Sequence, residues 1–144
     1  MYILERTFEL PIGHRLSKHS KRCRFIHGHN FVITVKIQAD KLNDNDMVID
    51  FSTVKHEVGS FLDDFDHACM LNADDIHYQK IQAMSERIMT FDSDPTAESL
   101  AKYLFDVLDE KCLRGNLYGG DQNIRIHSVK VQEATGAAVT YVGD

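Results

Sequence analysis

The chain has 144 residues, of which 43% are hydrophobic and 26% charged, the proportions of one ordinary globular domain. No stretch approaches the roughly 18 consecutive apolar residues of a membrane-spanning helix, and a formal net charge of −6 argues against general nucleic-acid binding. Residues 1–6 carry charges where a secretory signal needs an apolar centre, and the three cysteines follow no disulfide spacing. We therefore expect a cytoplasmic protein with a single domain spanning residues 1–144.

Two strands are predicted at the start of the chain. Residues 2–10 alternate between apolar and polar side chains, and Pro11 and Gly13 are expected to end or bend this strand. Residues 29–40 alternate more regularly. Their odd positions share one face: His29, Phe31, Ile33, Val35, Ile37 and Ala39. A turn over 41–46 and a short strand over 47–51 are expected to follow.

Two amphipathic helices are predicted in the middle of the chain. The first has an apolar stripe at helical spacing, with Asp50 or Ser52 as its N-cap. Its stripe consists of Phe51, Val54, Val58, Phe61, Leu62 and Phe65. The second covers residues 93–112, where Asp94 can cap the helix and Pro95 suits its first turn. Between them, residues 72–92 are expected to be irregular, with a short helix within 78–88.

The last part of the chain predicts two further strands. Residues 114–123 are rich in glycine and polar side chains and should end the second long helix. Strands over 124–134 and 137–143 follow, separated by Thr135 and Gly136. The order of two strands, helices and two strands indicates an α+β fold, with an antiparallel β-sheet and helices packed on one face.

Three histidines form a candidate metal site. His27 and His29 project from the same face if both are extended, and Gly28 between them adds no side chain. Catalytic zinc commonly takes three protein ligands and keeps one position open. His14, at the end of the neighbouring strand, is the candidate third ligand. The alternative is a turn in which both histidines of the His-Gly-His segment are solvent-exposed.

Cys23 and its surroundings leave several interpretations open. The thiol can be a fourth zinc ligand that closes a structural site, or a free nucleophile or base beside an open one. Five basic residues lie within 15–24, and they can attract an anion such as a phosphate ester or form an ordinary solvated loop. Cys69 and Cys112 are expected to be buried packing residues.

Asp66 and His67 are a further candidate pair. A carboxylate beside an imidazole can orient the ring for general acid–base catalysis. The dipeptide is also common in proteins without any such role. Glu133, at the end of a predicted strand, carries no diagnostic signal by itself.

Taken together, these segments resemble the 6-pyruvoyltetrahydropterin synthase / 6-carboxytetrahydropterin synthase family over nearly the whole chain. The matching segments are, in chain order, His14, the Cys-x3-His-Gly-His motif at 23–29, MVIDF at 47–51, DHACMLN at 66–72, DPTAESLAKYL at 94–104 and VQEATGA at 131–137. The resemblance implies the tunnelling fold (T-fold), in which sheets of several subunits join into a barrel. It also implies a homohexamer with active sites at the subunit interfaces.

The resemblance assigns roles to individual residues. It implies that His14, His27 and His29 bind Zn²⁺, and that Cys23 is a catalytic base. Asp66 and His67 match the pair that moves protons on the other side of the substrate. Glu133 matches the glutamate that holds the pterin ring, while Thr96 and Glu98 match a less diagnostic stretch of the pterin pocket.

The resemblance also implies a reaction. The three residues between Cys23 and His27 are typical of bacterial members that convert 7,8-dihydroneopterin triphosphate to 6-carboxytetrahydropterin, acetaldehyde and triphosphate in queuosine biosynthesis. Formation of 6-pyruvoyltetrahydropterin is the alternative within the family, and a non-catalytic zinc and pterin binding module is the alternative outside enzymes. Residues 73–93 are longer than the corresponding stretch of compact members, and they border the expected pocket.

Overall fold

A computed structural model describes residues 1–84, 87–113 and 123–144, without the side chains of residues 112 and 113. The strands are β1 (Tyr2–His14), β2 (His27–Ala39), β3 (Cys69–Asn72), β4 (Ile88–Phe91), β5 (Ile124–Ala134) and β6 (Ala137–Val142). The helices are α1 (Phe51–Leu62), α2 (Tyr78–Met84) and α3 (Ala97–Leu113), and a short 3₁₀ turn covers Arg22–Arg24. Within the described ranges, no helix is both long enough and apolar enough to cross a membrane.

The strands form one six-stranded sheet in the order β4-β3-β1-β2-β5-β6. The four long strands pair antiparallel, and the α+β class is confirmed. The sheet is nevertheless mixed, because β3 runs parallel to β1 and β4 runs parallel to β3. The prediction of an irregular region over 72–92 was wrong in this respect. Strands of four residues in a parallel arrangement leave no alternating pattern to read in the sequence.

The predicted end of β1 was also wrong, because the strand continues through Pro11 and Gly13 to His14. The Pro11 carbonyl accepts a hydrogen bond from the His67 backbone N–H, and the Gly13 N–H donates to the Ala68 carbonyl, both at 2.8 Å. In a strand the N and O of one residue point to the same side. Pro11 therefore turns its missing N–H away from β2, so the ladder with β2 is not interrupted.

Helix α1 begins where the sequence predicted, but the first residue of its predicted apolar stripe is exposed. The Asp50 carboxylate caps it by accepting from the Ser52 N–H at 2.7 Å. Phe51 is the first helical residue and is 61% exposed, so it does not join the apolar stripe. The short strand predicted over 47–51 is absent from this described segment, which is irregular up to Asp50.

Helix α3 is capped by a different residue from the one predicted. The Thr96 hydroxyl, and not Asp94, accepts from the backbone N–H of Ser99 at 3.1 Å, which is the N-cap to N3 pattern. Asp94 is buried and bonded elsewhere. The short helix predicted within 78–88 is confirmed as α2. The segment 114–123, which was predicted to end this helix, lies almost entirely outside the described residues. The side chain of Cys112 lies outside them as well.

One hydrophobic core joins the sheet to the long helices. Its fully buried side chains come from β2, β5, α1 and α3, and include Phe31, Ile33, Val35, Ile37, Val54, Val58, Leu100, Leu104, Leu108, Val129 and Val131. The alternation predicted for β2 is confirmed, since its odd positions from Phe31 to Ala39 are buried. The core therefore fixes which face of β1 and β2 points inward, up to the end where the histidines lie.

We expect Leu104→Ala to lower the free energy of unfolding by about 2–5 kcal/mol, because it removes a fully buried side chain and leaves a cavity. Urea unfolding with an unchanged m-value measures the loss. Ile76→Ala is the matched control, since Ile76 is 85% exposed and should change stability by less than about 0.5 kcal/mol. Equal losses in the two variants would contradict this packing.

Candidate metal centre and active site

The register of β1 and β2 brings the three histidines together. His14 lies directly opposite His27, and Ile12 lies opposite His29. Because β1 is unbroken, His14 keeps the inward parity of Leu10 and Ile12, and it is buried. The candidate ligand atoms of His14, His27 and His29 all lie within 4.8 Å of one another. The alternative, a turn with two solvent-exposed histidines, is wrong because both belong to β2 and are half-buried.

Backbone carbonyls orient two of these imidazole rings. His14 Nδ1 lies 2.9 Å from the Pro95 carbonyl oxygen, and His27 Nδ1 lies 2.7 Å from that of Phe25. A carbonyl only accepts, so both Nδ1 atoms carry the proton when the rings are neutral. The Nε2 atoms of His14 and His27 then face each other as lone pairs, 3.0 Å apart. A bound cation would satisfy both, and the arrangement fits a divalent metal that prefers imidazole ligands.

Electrostatics keep His14 in the ligand form. Burial, together with the nearby His27 and His29, lowers the pKa of His14 to about 4, although the hydrogen bond to the Pro95 carbonyl opposes the shift. The ring is therefore neutral at physiological pH. A neutral imidazole is the form that binds metals.

Gly28 suits the close approach of β1 and β2 between the two histidines. A Cβ atom at this position would lie 3.2 Å from the Ile12 carbonyl oxygen and 3.7 Å from the Gly13 Cα. The two strands approach closely where their histidines converge, and a side chain would push them apart.

Cys23 lies in the 3₁₀ turn of residues 22–24, and its residue is partly exposed. Its carbonyl accepts from the Leu16 N–H at 2.9 Å, which holds the turn against the continuation of β1. Over the part of the chain that the structure describes, the group able to hold a metal contains the three histidines without Cys23. This arrangement favours the interpretation of Cys23 as a free thiol beside an open site. Cys69 is the other cysteine with a described side chain. It was predicted to be buried, but it is only half-buried.

Asp66 and His67 form a hydrogen-bonded pair on the rim of the same region. Asp66 Oδ1 accepts from His67 Nδ1 at 2.7 Å, which leaves Nε2 free to face outward, and the His67 side chain is 76% exposed. His67 has a left-handed backbone conformation with φ 59°, which its N–H bond to Pro11 holds in place. His29 and His67 both line one cleft of about 530 Å³.

Arg87 fixes the turn that carries this pair. Its Nη2 donates to the Asp63 carbonyl at 2.8 Å, and its Nε donates to the Asp66 carbonyl at 3.1 Å. Sequence reasoning did not identify Arg87, because its partners are backbone oxygens some 20 residues away, and no local pattern marks them.

Glu133 approaches the histidines from β5. The ladder between β5 and β6 shifts register between Gln132 and Ala134, which is a β-bulge at Glu133. Bulges re-aim side chains next to active sites. Glu133 Oε1 lies 3.9 Å from His14 Nε2, and the glutamate side chain is 28% exposed.

The remaining predicted site residues lie further apart. The Thr96 hydroxyl serves as the cap of α3. Glu98 is exposed and lines a cleft with Phe91, Tyr103 and Tyr141, which shares no lining residue with the cleft of His29 and His67. The structure thus gathers the histidines, Asp66–His67 and Glu133 around one end of β1 and β2, and leaves Thr96 and Glu98 at the start of α3.

The basic residues within 15–24, referred to below as the basic window, are of two kinds. Arg15 is largely buried and pairs with Asp75, so its charge is committed within the protein. Arg24 is exposed, stacks over the Phe25 ring at 5.0 Å and lines a cleft of about 650 Å³ together with His77 and Lys80 of the 73–93 stretch.

Asp94 is a site-supporting residue that the sequence did not reveal. Its carboxylate accepts from the Ser17 hydroxyl at 2.6 Å, the Lys18 N–H at 2.8 Å and the Asn72 amide at 3.0 Å. The next residue, Pro95, supplies the carbonyl that orients His14. Asp94 therefore connects the basic window, β3 and the metal centre.

Comparisons with known proteins agree with this geometry. A family model described as 6-pyruvoyl tetrahydropterin synthase matches residues 3–144. A 6-carboxy-5,6,7,8-tetrahydropterin synthase of Rickettsia felis is 32% identical over 137 residues, which cover 93% of this chain and 95% of that protein. The structure of Caenorhabditis elegans 6-pyruvoyl tetrahydropterin synthase is 26% identical with a TM-score of 0.67, and the match covers 99% of this chain and 96% of that one.

An uncharacterised Wolinella succinogenes protein has the same fold, with a TM-score of 0.84 at 18% identity over 99% of this chain and 98% of its own. These likenesses confirm that the single chain has the fold of a tunnelling-fold subunit. The chain belongs to the 6-pyruvoyl tetrahydropterin synthase family, and it is therefore a pterin-metabolising enzyme. Within that family, the relative from Rickettsia felis carries the 6-carboxy name.

We expect Asp94→Asn to make the protein less stable at pH 7, by about 1–3 kcal/mol. Burial opposes ionisation of Asp94, but the hydrogen bonds from Ser17, Lys18 and Asn72 outweigh it and hold the pKa below its ordinary value of 3.8. A depressed pKa means that this stabilisation is present above pH 3.8 and is lost as the pH falls below it. Urea unfolding from pH 7 to pH 3 should show the two proteins converging in acid.

Glu5→Gln serves as the control for this comparison, because Glu5 forms an exposed ion pair with Lys36. We expect it to change stability by less than about 1 kcal/mol at any of these pH values. A constant difference between Asp94→Asn and the unmodified protein across the whole range would show that the charge of Asp94 is not what stabilises the fold.

Proposed function

We propose that this chain is a zinc-dependent 6-carboxy-5,6,7,8-tetrahydropterin synthase, a lyase that converts 7,8-dihydroneopterin triphosphate and one water to 6-carboxytetrahydropterin, acetaldehyde and triphosphate. Its place would be in queuosine biosynthesis. The observation that carries the proposal is the convergence of His14, His27 and His29 with paired Nε2 lone pairs. The name of the 32% identical relative supports the choice of product.

His14, His27 and His29 would hold the zinc ion. The ion would supply Lewis-acid polarisation of the substrate's side-chain oxygens, which makes adjacent C–H bonds more acidic. His14 and His27 donate from Nδ1 to the carbonyls of Pro95 and Phe25, which fixes the orientation of both imidazoles before the metal binds, so little reorganisation is needed.

Several groups of the chain would handle the substrate. The Cys23 thiolate would remove a proton from the substrate side chain. His67, oriented by Asp66 through Nδ1, presents its Nε2 for proton transfer at the other side. The Glu133 carboxylate would accept two parallel hydrogen bonds from the amino-pyrimidine edge of the pterin. Thr96 and Glu98, at the start of α3, would line the pterin pocket only once the subunits assemble, because Glu98 lies in a separate cleft of the single chain. Exposed basic side chains of residues 15–24 would bind the triphosphate.

The second candidate is formation of 6-pyruvoyltetrahydropterin by the same residues. The description of the family model and the Caenorhabditis elegans structure favour it. The two reactions differ in whether the side chain is cleaved, so the mass of the product separates them. A non-catalytic zinc and pterin binding module would bind both ligands and form neither product.

A cytoplasmic homohexamer, with active sites at the subunit interfaces, completes the proposal. The six-stranded sheet ends in β4 and β6, which have a neighbour on only one side in the described chain. β6 is long enough to pair with another subunit, and most of its residues are exposed. Pairing of sheet edges between subunits would close the barrel that the fold family implies.

We expect the purified protein to bind about one zinc ion per chain, and His27→Ala or His29→Ala to lower this content at least about tenfold. His19→Ala is the control, because His19 lies in the basic window but outside the three-histidine group. Elemental analysis after dialysis measures the metal. Unchanged zinc content in both ligand variants would contradict the assignment.

We expect the zinc-loaded protein to release acetaldehyde from 7,8-dihydroneopterin triphosphate and to form a product with the mass of 6-carboxytetrahydropterin. Cys23→Ala should lower kcat by about 10²–10⁴-fold with zinc retained. Glu133→Gln should mainly raise KM. Absence of acetaldehyde and of any new pterin in the unmodified protein would refute the lyase assignment.

A further inference from the structure

A buried ion pair is connected to the turn that carries Cys23. The Asp75 side chain has no exposed surface, and its Oδ2 accepts from Arg15 Nε at 2.7 Å. Arg15 directly follows the metal-site residue His14 and is itself only 11% exposed. The pair therefore joins the end of β1 to the connection between β3 and α2.

Arg15 extends this link to the Cys23 turn. Its Nη1 donates to the carbonyl of Arg24, the residue after Cys23. The next residue along the chain, Leu16, donates its N–H to the Cys23 carbonyl at 2.9 Å. Two consecutive residues of the β1 extension thus hold two consecutive carbonyls of the turn.

Asp75 is itself held in place. Its Oδ1 accepts from the His77 N–H at 2.8 Å, and its own N–H donates to the Asn72 carbonyl at 3.0 Å. These bonds hold the Asp75 carboxylate and its backbone in place. Any displacement of Arg15 would break the charge-assisted hydrogen bond.

Asp75 belongs to the 73–93 stretch, and the proposed reaction gives Asp75 itself no role. A buried ion pair of this kind is a weak device for stability alone, because the desolvation of both charges offsets their attraction. Its geometry is directional. A guanidinium offers several N–H groups in a fixed fork and can bond a carboxylate and a carbonyl together, which an ammonium group does poorly.

We propose that Asp75, acting through Arg15, is a positioning residue that fixes the Cys23 turn relative to the histidine centre. The proposal rests on the proposed function only in that Cys23 is assigned there as the base. The proposal gives Asp75, and with it the 73–93 stretch, a role in holding the Cys23 turn in place.

The experiment compares Arg15→Lys, Asp75→Asn and their double variant with the zinc-loaded unmodified protein. Arg15→Lys retains a positive charge opposite Asp75 but loses the fork that reaches the Arg24 carbonyl. If Asp75→Asn does not fold, Arg15→Lys alone tests the proposal. Glu5→Gln is the control, because it removes the exposed ion pair between Glu5 of β1 and Lys36 of β2, whose charged atoms lie 3.4 Å apart, and Glu5 is far from the turn in sequence.

Hydrogen–deuterium exchange of residues 15–25 is the first readout, and it does not depend on any activity. We expect about tenfold faster exchange of the Leu16, Arg24 and Phe25 amides in both single variants, with the rest of the chain unchanged. The double variant should be no faster than the singles, because one linkage is removed in each case. Glu5→Gln should match the unmodified protein.

Turnover of the pterin is the second readout. We expect kcat to fall about tenfold with KM unchanged, because the turn is displaced while the substrate pocket is intact. Unchanged exchange at 15–25 in Arg15→Lys and Asp75→Asn would overturn the proposal, and so would faster exchange with unaltered kcat. If the unmodified protein has no turnover, the proposed function fails, and the exchange result alone decides whether Asp75 positions the turn.

Discussion

The antiparallel register of β1 and β2 is the constraint on which the site depends. It places His14 opposite His27 and Ile12 opposite His29, so the inward face changes from hydrocarbon to imidazole at one end of the ladder. The buried side chains of Phe31 and Ile33 lock this register, because a slip by one residue would turn every inward side chain to the other face. The same packing that stabilises the core therefore sets the geometry of the metal centre.

The imidazole rings of the metal centre are oriented before any ion binds. Two imidazoles donate from Nδ1 to backbone carbonyls and turn their Nε2 lone pairs toward each other. Burial lowers the pKa of His14 to about 4, so this imidazole is neutral at physiological pH and offers its Nε2 lone pair to a cation. An arrangement that is unfavourable without a cation and favourable with one is typical of a built ligand site.

The stretch from Asn72 to Asp94 supports the site from its outer side. Asp75 reaches the Cys23 turn through Arg15, Arg87 holds the turn of Asp66 and His67, and Asp94 bonds the basic window while Pro95 orients His14. These contacts are polar and run mostly to backbone atoms. Such contacts fix positions with little dependence on the chemistry of the partner side chain.

The sequence by itself determined the long alternating strands, the two amphipathic helices and the histidine set, since periodicity and the His-x-His spacing are local properties. Only the tertiary structure decided that β1 continues through Pro11, that β3 and β4 add in parallel, and that Asp94 leaves its helix to bond Ser17 and Asn72. These outcomes depend on partners far away in the chain. A strand's free edge or a buried carboxylate finds such a partner only when the core has formed, and no local pattern encodes it.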